Sequence, residues 1–498
     1  MEQNRFRCHA SVIIENLGGV FWFAVLMLIS SMDDLDLGEV LSLLEEGNAS
    51  AKEVLMIVGI ILAIVLVVLA YNWVVWAKTW ISIEKEAIVI ERNLLNRKVN
   101  TIGMKNISNI NMEQNIFERI IGTYKIKLDT NSATTADQTD VKIILSKAKA
   151  EWFKRQVMQR MNETCEEVNE EAVEYDVQYK AKDIIMHCVY TASPGAVLFC
   201  LAFLVGCVVT LNSVNTGAVL LDGIINVLGS LLAVIIVVGS VFQSLVKDFF
   251  VYFGFKARRQ ENKIYLTHGF FKKRQYTIAV DKINAVEIVS STVSRVLRRQ
   301  YVKVVCVGVG DEENENSMLL LSEKTDVMKE KLSILLPEFV IGEPTIISRH
   351  KKSMWSELLS LLVCFILFGA IAVLLGGMNV LEIEQMWVRV VIVIACIVIW
   401  LLVLLADCLS FKTAGIGLEE NNLLVVLGTY SKTSTWIPYS KIQEIEYSQG
   451  PIARHFGYAS GVIYILATMI DSINATSYFD VEVFEQIRAK MLERKGKK

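Results

Sequence analysis

The chain repeats one pattern three times, and this repeat constrains its fold more than any other feature of its 498 residues. Three segments align without gaps when Ile107, Ile283 and Ile442 are superposed. The other positions that agree are Ile102, Ile278 and Ile437 five residues earlier, Ile110, Val286 and Ile445 three residues later, and Asn93, Gly269 and Gly428 fourteen residues earlier. Self-similarity of this kind indicates three copies of one structural unit.

Each copy is predicted to contain strands followed by a helix. Apolar residues alternate with the period of a strand at Ile88 and Ile90, at Ile264 and Leu266, and at Leu423 and Val425. Asn93, Gly269 and Gly428 come next, and Asn and Gly accept positive φ, so we expect a hairpin turn there. An amphipathic stretch closes each copy, over Lys149 to Met161, Glu323 to Leu336, and Glu482 to Leu492.

Two polar positions also recur in all three copies. An arginine follows each anchor isoleucine by twelve residues, as Arg119, Arg295 and Arg454. It could close the fold as a structural tie or contact lipid headgroups, and its apolar neighbours favour the tie. Thirty-five residues before the anchors stand Asn72, Asp248 and Asp407, which we interpret as structural ties rather than an ion path.

The composition favours a membrane protein, since 53% of residues are hydrophobic, 21% are charged and the mean hydropathy is +0.43. Crossing the hydrocarbon takes about 20 apolar residues. The runs that meet or approach this length are Val12 to Met32, Val54 to Trp76, Val189 to Leu211, Ile224 to Val246, Leu358 to Leu375 and Trp387 to Ala406. They predict six spans in three pairs, each pair followed by one β-rich copy.

The distribution of charge predicts the orientation of these spans. The connector after the first span is acidic, with Asp33, Asp34 and Asp36, whereas Lys and Arg gather at the opposite ends of the spans. The positive-inside rule then places both termini and all three copies in the cytoplasm, as in a multi-pass protein of the plasma membrane.

The sequence contains no recognisable catalytic or metal-binding motif. Phosphate-binding loops, nucleophile elbows and His-Glu-x-x-His are absent, the five histidines lack metal-ligand spacing, and the nine cysteines form no Cys-x-x-Cys pair. We therefore predict a non-enzymatic protein with no catalytic, cofactor-binding or metal-binding residue. The formal net charge of −3 gives no indication of nucleic-acid binding.

Basic residues gather around the predicted hairpins of the first two copies. They are candidate headgroup-binding or partner-binding residues, because each could gain about 1 kcal/mol beside anionic lipid. These candidates are Arg92, Arg97 and Lys98 in the first copy, and Arg258, Arg259, Lys272, Lys273, Arg274, Arg298 and Arg299 in the second. The alternative is that they only solvate one face of the protein.

The phased pattern resembles the bacterial pleckstrin-homology (PH) domain membrane proteins, the YdbS/YdbT-like group. The residues that carry the resemblance include Glu91 to Lys98 with Ile102 and Ile107, Leu266 to Phe271 with Ile278 and Ile283, and Leu427 to Tyr430 with Ile437 and Ile442. The resemblance implies a partly open β-barrel with a C-terminal helix in each copy, in a bacterial cell membrane. It implies a scaffold for envelope maintenance, export or defence against membrane-active agents.

The resemblance and the apolar runs together predict six segments. These are helix pairs at 1–77, 184–252 and 354–409, and PH-like domains at 78–165, 253–340 and 410–498. The expected partners are membrane lipids and other membrane or cytoplasmic proteins, the sequence also allows an oligomer, and no nucleic acid is expected. The alternative function is a transporter or transporter subunit that uses the six helices.

Overall fold

The structure is a computed structural model, and it describes residues 5–15, 49–94, 96–130, 141–160, 175–191, 245–306, 318–339, 342, 344–354, 357–358, 361–363, 365–366, 400–401, 403–466 and 478–495. The chain divides into two compact units. The first comprises Met1–Ser132 and Thr139–Val173, and the second comprises Ala133–Gln138 and Glu174–Lys498. The first unit holds the first repeat, and the second unit holds the other two.

The first unit contains two antiparallel ladders and a C-terminal helix. Its strands are β1 Arg5–Phe6, β2 Thr79–Ile83, β3 Ala87–Asn93, β4 Arg97–Gly103, β5 Ile107–Gln114, β6 Thr123–Thr130 and β7 Val141–Ser146. Its helices are α1 Val12–Glu15, α2 Ala49–Lys78, the 3-10 turn Met104–Asn106, α3 Ile116–Ile121 and α4 Lys147–Arg160. Strands β1 to β4 pair in sequence order, as do β5 to β7.

The second repeat builds the same series of elements. Its strands are β8 Val177–Gln178, β9 Lys256–Gln260, β10 Lys263–His268, β11 Lys273–Ala279, β12 Ala285–Ser290, β13 Arg299–Val305 and β14 Met318–Lys324. Its helices are α5 Ala181–Thr191, the 3-10 turn Val280–Lys282, α6 Thr292–Val296 and α7 Thr325–Leu335, and residues 245–252 are also helical. Strands β8 to β11 pair in sequence order.

The third repeat follows the same order. Its strands are β15 Ile346–Ser348, β16 Gly415–Leu418, β17 Asn422–Leu427, β18 Lys432–Pro438, β19 Ile442–Ser448, β20 Tyr458–Ile465 and β21 Tyr478–Asp480. Its helices are the 3-10 turn Tyr439–Lys441, α8 Pro451–Phe456 and α9 Val481–Lys495, and residues 403–413 are helical. Its first four strands join β12 to β14 in a seven-stranded sheet of order β14-β13-β12-β18-β17-β16-β15, and β19 to β21 form a separate sheet.

The repeat predicted from the isoleucine spacing is confirmed. The anchors Ile107, Ile283 and Ile442 all lie in the core, at 1%, 1% and 0% exposure. Each follows a 3-10 turn that ends the preceding hairpin. The predicted closing helices are also confirmed, as α4, α7 and α9, since their apolar faces supply core residues such as Phe153, Leu332 and Phe484.

The predicted turn conformation is confirmed in two repeats and wrong in the first. Gly269 and Gly428 have φ of 109° and 135°, whereas among the described residues only Glu261 and Arg298 are non-glycine residues with positive φ. Asn93 therefore does not have positive φ. It pairs with Arg97 as the last residue of β3, so the strand continues through the position that the other repeats use for the turn.

Replacing Gly428 by Ala should destabilise the second unit. A Cβ there would lie 2.0 Å from the carbonyl oxygen of Ser431, and φ of 135° is disfavoured for any residue with a side chain. We expect a loss of about 2 kcal/mol in the free energy of unfolding, measured by urea denaturation. Gly457→Ala is the matched control, because Gly457 also has positive φ but has no atom within 4 Å of the added Cβ. Equal losses in the two variants would contradict the predicted clash.

The prediction of a six-span membrane protein requires correction. Across the residues that the structure describes, no helix combines the length and the apolar character needed to cross a membrane. This finding overturns the α-helical membrane fold class, the multi-pass location in a bacterial cell membrane with cytoplasmic termini, and the six-helix transporter alternative. The error came from hydropathy, because an apolar run alone does not distinguish a span from other apolar segments. Five of the six predicted spans lie mostly outside the described residues, for example over 16–32, 192–211 and 224–244.

Candidate functional site

The tip of the β10–β11 hairpin presents two aromatic side chains to the surface. Gly269 makes the turn possible, since a Cβ at this position would lie 2.0 Å from the carbonyl oxygen of Lys272. Phe270 and Phe271 follow it and are 42% and 46% exposed. Lys272 and Lys273 come next and are half-buried. The tip therefore combines large apolar surface with positive charge.

This tip packs against the helical segment 245–252 and the turn that follows it. The ring of Phe250 lies 4.4 Å from that of Phe271, and the ring of Phe253 lies 5.1 Å from that of Phe270. Two backbone bonds fix the arrangement, from the Gly269 N–H to the Phe253 carbonyl at 2.8 Å and from the Phe270 N–H to the Phe250 carbonyl at 2.9 Å. We call Phe250, Phe253, Phe270, Phe271, Lys272 and Lys273 the aromatic tip.

His268, the residue just before the turn glycine of the aromatic tip, is buried and packs against aromatic rings of the core. His268 is 3% exposed, and its ring stacks on Phe255 at 5.6 Å and on Tyr276 at 5.8 Å. Its Nδ1 lies 2.7 Å from the carbonyl oxygen of Val251, at the end of the helical segment. Packing of this kind holds the exposed rings on a rigid base, so little side-chain entropy is lost when they bind.

The other basic candidates of the second repeat do not converge on the tip. Arg259 bonds to the Glu338 carboxylate through both terminal nitrogens, and this hydrogen bonding raises the pKa of Arg259 and lowers that of Glu338. Arg258, on β9, lies over the ring of Tyr265 at 4.5 Å. Arg274 is buried. Arg298 is exposed after α6, with φ of 52°. The basic residues predicted to form one cluster in the second repeat therefore lie in several separate environments.

Arg299, the remaining candidate of the second repeat, lines an open cleft of about 580 Å³ beside α5 and α7. It lies over the ring of Tyr190 at 5.0 Å. In the same cleft Lys331 bonds to Glu323 and lies over the ring of Tyr179 at 4.5 Å. Arg299 and Lys331 thus have partners within the protein.

The basic candidates of the first repeat are exposed. Arg92, Arg97 and Lys98 lie on the β3–β4 hairpin, and Arg97 pairs with Glu91 at 3.5 Å. Arg5 on β1 also reaches Glu91, at 2.9 Å. Glu91 thus offsets part of the positive charge of this hairpin.

The repeated arginines are exposed, and Arg295 has an informative set of contacts. Its guanidinium donates to the Thr429 carbonyl and to the Thr413 hydroxyl, both at 3.2 Å. Both acceptors belong to the third repeat. Contacts of this kind are expected for a structural tie. The structural role of Arg295, Arg119 and Arg454 stays a prediction.

The three repeated polar residues each lie within a helix. The Asn72 amide lies 3.5 Å from the carbonyl oxygen of Ile13, within the first repeat. Burial raises the pKa of Asp248. Asp407 is half-buried in the helical segment 403–413. The structural role of all three remains a prediction.

Sequence reasoning did not include the aromatic residues of the tip among the candidate residues. Phe270 and Phe271 served there only as part of the repeated motif, and Phe250 and Phe253 were not considered. The available signal was an aromatic pair directly after a turn glycine and directly before three basic residues, Lys272 to Arg274. Aromatic residues at an exposed turn are a recognition signal, because burial in the core cannot explain them.

Comparison with known proteins agrees with the three repeats. The family described as bacterial PH domain matches residues 23–161, 201–329 and 363–495. No curated protein and no solved structure matches the chain. Each of the three matches contains one hairpin, one anchor isoleucine and the strands that follow it. Because the matches together cover well over half of its length, the chain belongs to the bacterial PH domain family.

Proposed function

We propose that this protein is a non-enzymatic binding scaffold whose second repeat contacts anionic phospholipid headgroups through the aromatic tip. PH domains generally bind lipids or proteins, which sets the class of partner. The observation that carries the lipid proposal is the pairing of exposed Phe270 and Phe271 with Lys272 and Lys273 on one turn. Within the family, the three phased copies favour the YdbS/YdbT-like group.

The chemistry of the tip suits the surface of a lipid bilayer. Aromatic rings partition into the boundary between headgroups and acyl chains. A lysine near an anionic surface gains about 1 kcal/mol, and its long apolar stem lets the ammonium reach a phosphate while the rings insert. A protein partner would also need a complementary acidic patch, whereas an anionic bilayer offers both features without a specific shape.

The test is the binding of the purified chain to vesicles. Replacing both Lys272 and Lys273 by Gln should weaken binding to phosphatidylglycerol vesicles about thirtyfold, as expected for the loss of about 2 kcal/mol. Replacing Phe270 and Phe271 by Ser should weaken binding at every salt concentration, because the apolar contribution is not screened. Co-sedimentation with vesicles measures both effects.

Two substitutions elsewhere on the second repeat serve as controls. Val296→Ser removes an apolar side chain that is 80% exposed on α6, and Lys324→Gln removes an exposed cation. Both controls should bind vesicles as the unmodified chain does. Equal binding by the tip variants and the unmodified chain, with unchanged circular dichroism, would exclude the aromatic tip as the lipid-binding surface.

A further inference from the structure

The second and third repeats are joined edge to edge through one strand pair. Strand β12 pairs antiparallel with β18, with Val286 opposite Trp436 and Ser290 opposite Lys432. This pairing connects the second half of one repeat to the first half of the next, within a single seven-stranded sheet. The joint is thus a strand-addition interface inside the chain.

Side chains reinforce this joint from both repeats. Arg295 reaches the Thr429 carbonyl, Asn284 donates its amide to the Leu466 carbonyl at 2.6 Å, and the Lys441 ammonium donates to the Asp281 carbonyl. The cores also interpenetrate, since Ala285 packs in the core of the third repeat. The joint therefore has both backbone pairing and specific ties.

The same two strand types occur at the two ends of the repeat series. Strand β19 is the counterpart of β12, and strand β4 is the counterpart of β18, by the spacing of the anchor isoleucines. Within the part of the chain that the structure describes, each is the edge strand of its sheet. Residues 97–101 of β4 are all exposed. Exposed edges of this kind are templates for pairing with another chain.

The charges of the two edges are opposite. Strand β4 carries Arg97 and Lys98, whereas β19 carries Glu444 and Glu446. Pairing β4 with β4, or β19 with β19, would bring like charges together, which is unfavourable. The charges thus favour contact between unlike edges, which generates a head-to-tail series rather than a symmetric dimer.

The register of the existing joint can be transferred to these edges. Val286 corresponds to Ile445 and Trp436 to Thr101, so the equivalent pairing places Ile445 opposite Thr101 and Ser448 opposite Lys98. In this register Glu446 and Lys98 point to the same side of the sheet as diagonal neighbours, within reach of an ion pair.

We propose that β19 binds β4 of a second copy of this chain in antiparallel register, so that molecules associate head to tail. The contact repeats the β12–β18 joint between molecules. Arg454, exposed on α8, is the counterpart of Arg295 and donates in the same way to the carbonyl of Leu94, the counterpart of Thr429, in the second copy.

Sedimentation velocity over a range of protein concentrations tests this association. The unmodified chain should form larger species as its concentration rises. Lys98→Glu and Glu446→Lys should each weaken association about tenfold, because each places like charges side by side. The chain that carries both substitutions should associate as the unmodified chain does. A monomer at every concentration, or no recovery in the double variant, would overturn the proposal.

Cysteine cross-linking tests the register independently. A chain with Ser448→Cys mixed with a chain with Lys98→Cys should form a disulfide-linked dimer on mild oxidation, because directly opposed Cβ atoms lie about 4.5–5.5 Å apart. The control mixes Ser448→Cys with Thr101→Cys, which lies on the opposite face of β4. Equal cross-linking in the two mixtures would rule out this register. Thermal melting of each variant reports whether it is folded.

Discussion

Replacing Lys127 by Met is expected to lower the free energy of unfolding of the first unit by about 3–5 kcal/mol. The Lys127 ammonium lies 3.1 Å from the Glu113 carboxylate, and both side chains are 3% exposed. They are diagonal neighbours on β6 and β5, since Lys127 is opposite Asn111 and Glu113 is opposite Lys125. The substitution would remove the Lys127 ammonium from beside a buried carboxylate, and a buried charge that loses a cation partner is strongly destabilising.

The double variant distinguishes the ion pair from simple loss of packing. Replacing Lys127 and Glu113 together by Met should restore most of the lost stability, because a buried ion pair is often no more stable than a well-packed apolar pair. Lys142→Met is the control, since Lys142 is opposite Lys127 on β7 but is exposed. Urea denaturation followed by circular dichroism measures all three. A double variant as unstable as Lys127→Met would contradict the charge argument.

The stability of the second unit should fall by about 3 kcal/mol between pH 7.5 and pH 4 through His187 alone. His187 is 1% exposed, and its ring contacts Tyr252 at 5.2 Å and Tyr301 at 5.6 Å. Its Nδ1 accepts the N–H of Ser322 at 3.1 Å. Burial, together with the positive charge of Lys303, lowers the pKa of His187 to about 3.

The sign of this effect follows from proton uptake. In the unfolded chain the His187 pKa returns to about 6.5, so below that pH the unfolded state binds a proton that the folded state does not. Stability contributed by the neutral ring is therefore complete above pH 6.5 and is lost as the pH falls toward 3, by about 1.4 kcal/mol per pH unit.

Substitution of the histidine isolates its contribution from that of the carboxylates. His187→Gln should flatten the pH dependence between pH 6.5 and pH 5, where most carboxylates remain ionised. Exposed His455 provides the control, because His455→Gln removes a histidine that lies at the surface and not in the core. Unfolding curves at several pH values give the slopes. An unchanged slope in His187→Gln would show that another group carries the pH dependence.

Local pattern was sufficient to predict the repeated unit. Ile107, Ile283 and Ile442 were placed in one register from spacing alone, and all three are buried after equivalent 3-10 turns. The closing helices and the positive φ of Gly269 and Gly428 were also predicted, because periodicity and turn preference act over a few residues. The prediction of six spans was wrong for the part of the chain that the structure describes, since no helix there is long and apolar enough to cross a membrane. Hydropathy describes the residues of a segment and not the surroundings into which it folds.

The sequence by itself therefore determined three copies of a β-rich unit, each with strands followed by a terminal helix, and it determined the glycine turn of the second and third copies. Only the tertiary structure decided that β12 pairs with β18, that Phe250 and Phe253 join Phe270 and Phe271, and that Arg259 is held by Glu338. The physical reason is the range of the interactions. The spacing of residues in the sequence indicates the contacts within one helix or strand. The pairing of edge strands, aromatic rings and charged side chains depends on which distant segments the folded chain brings together.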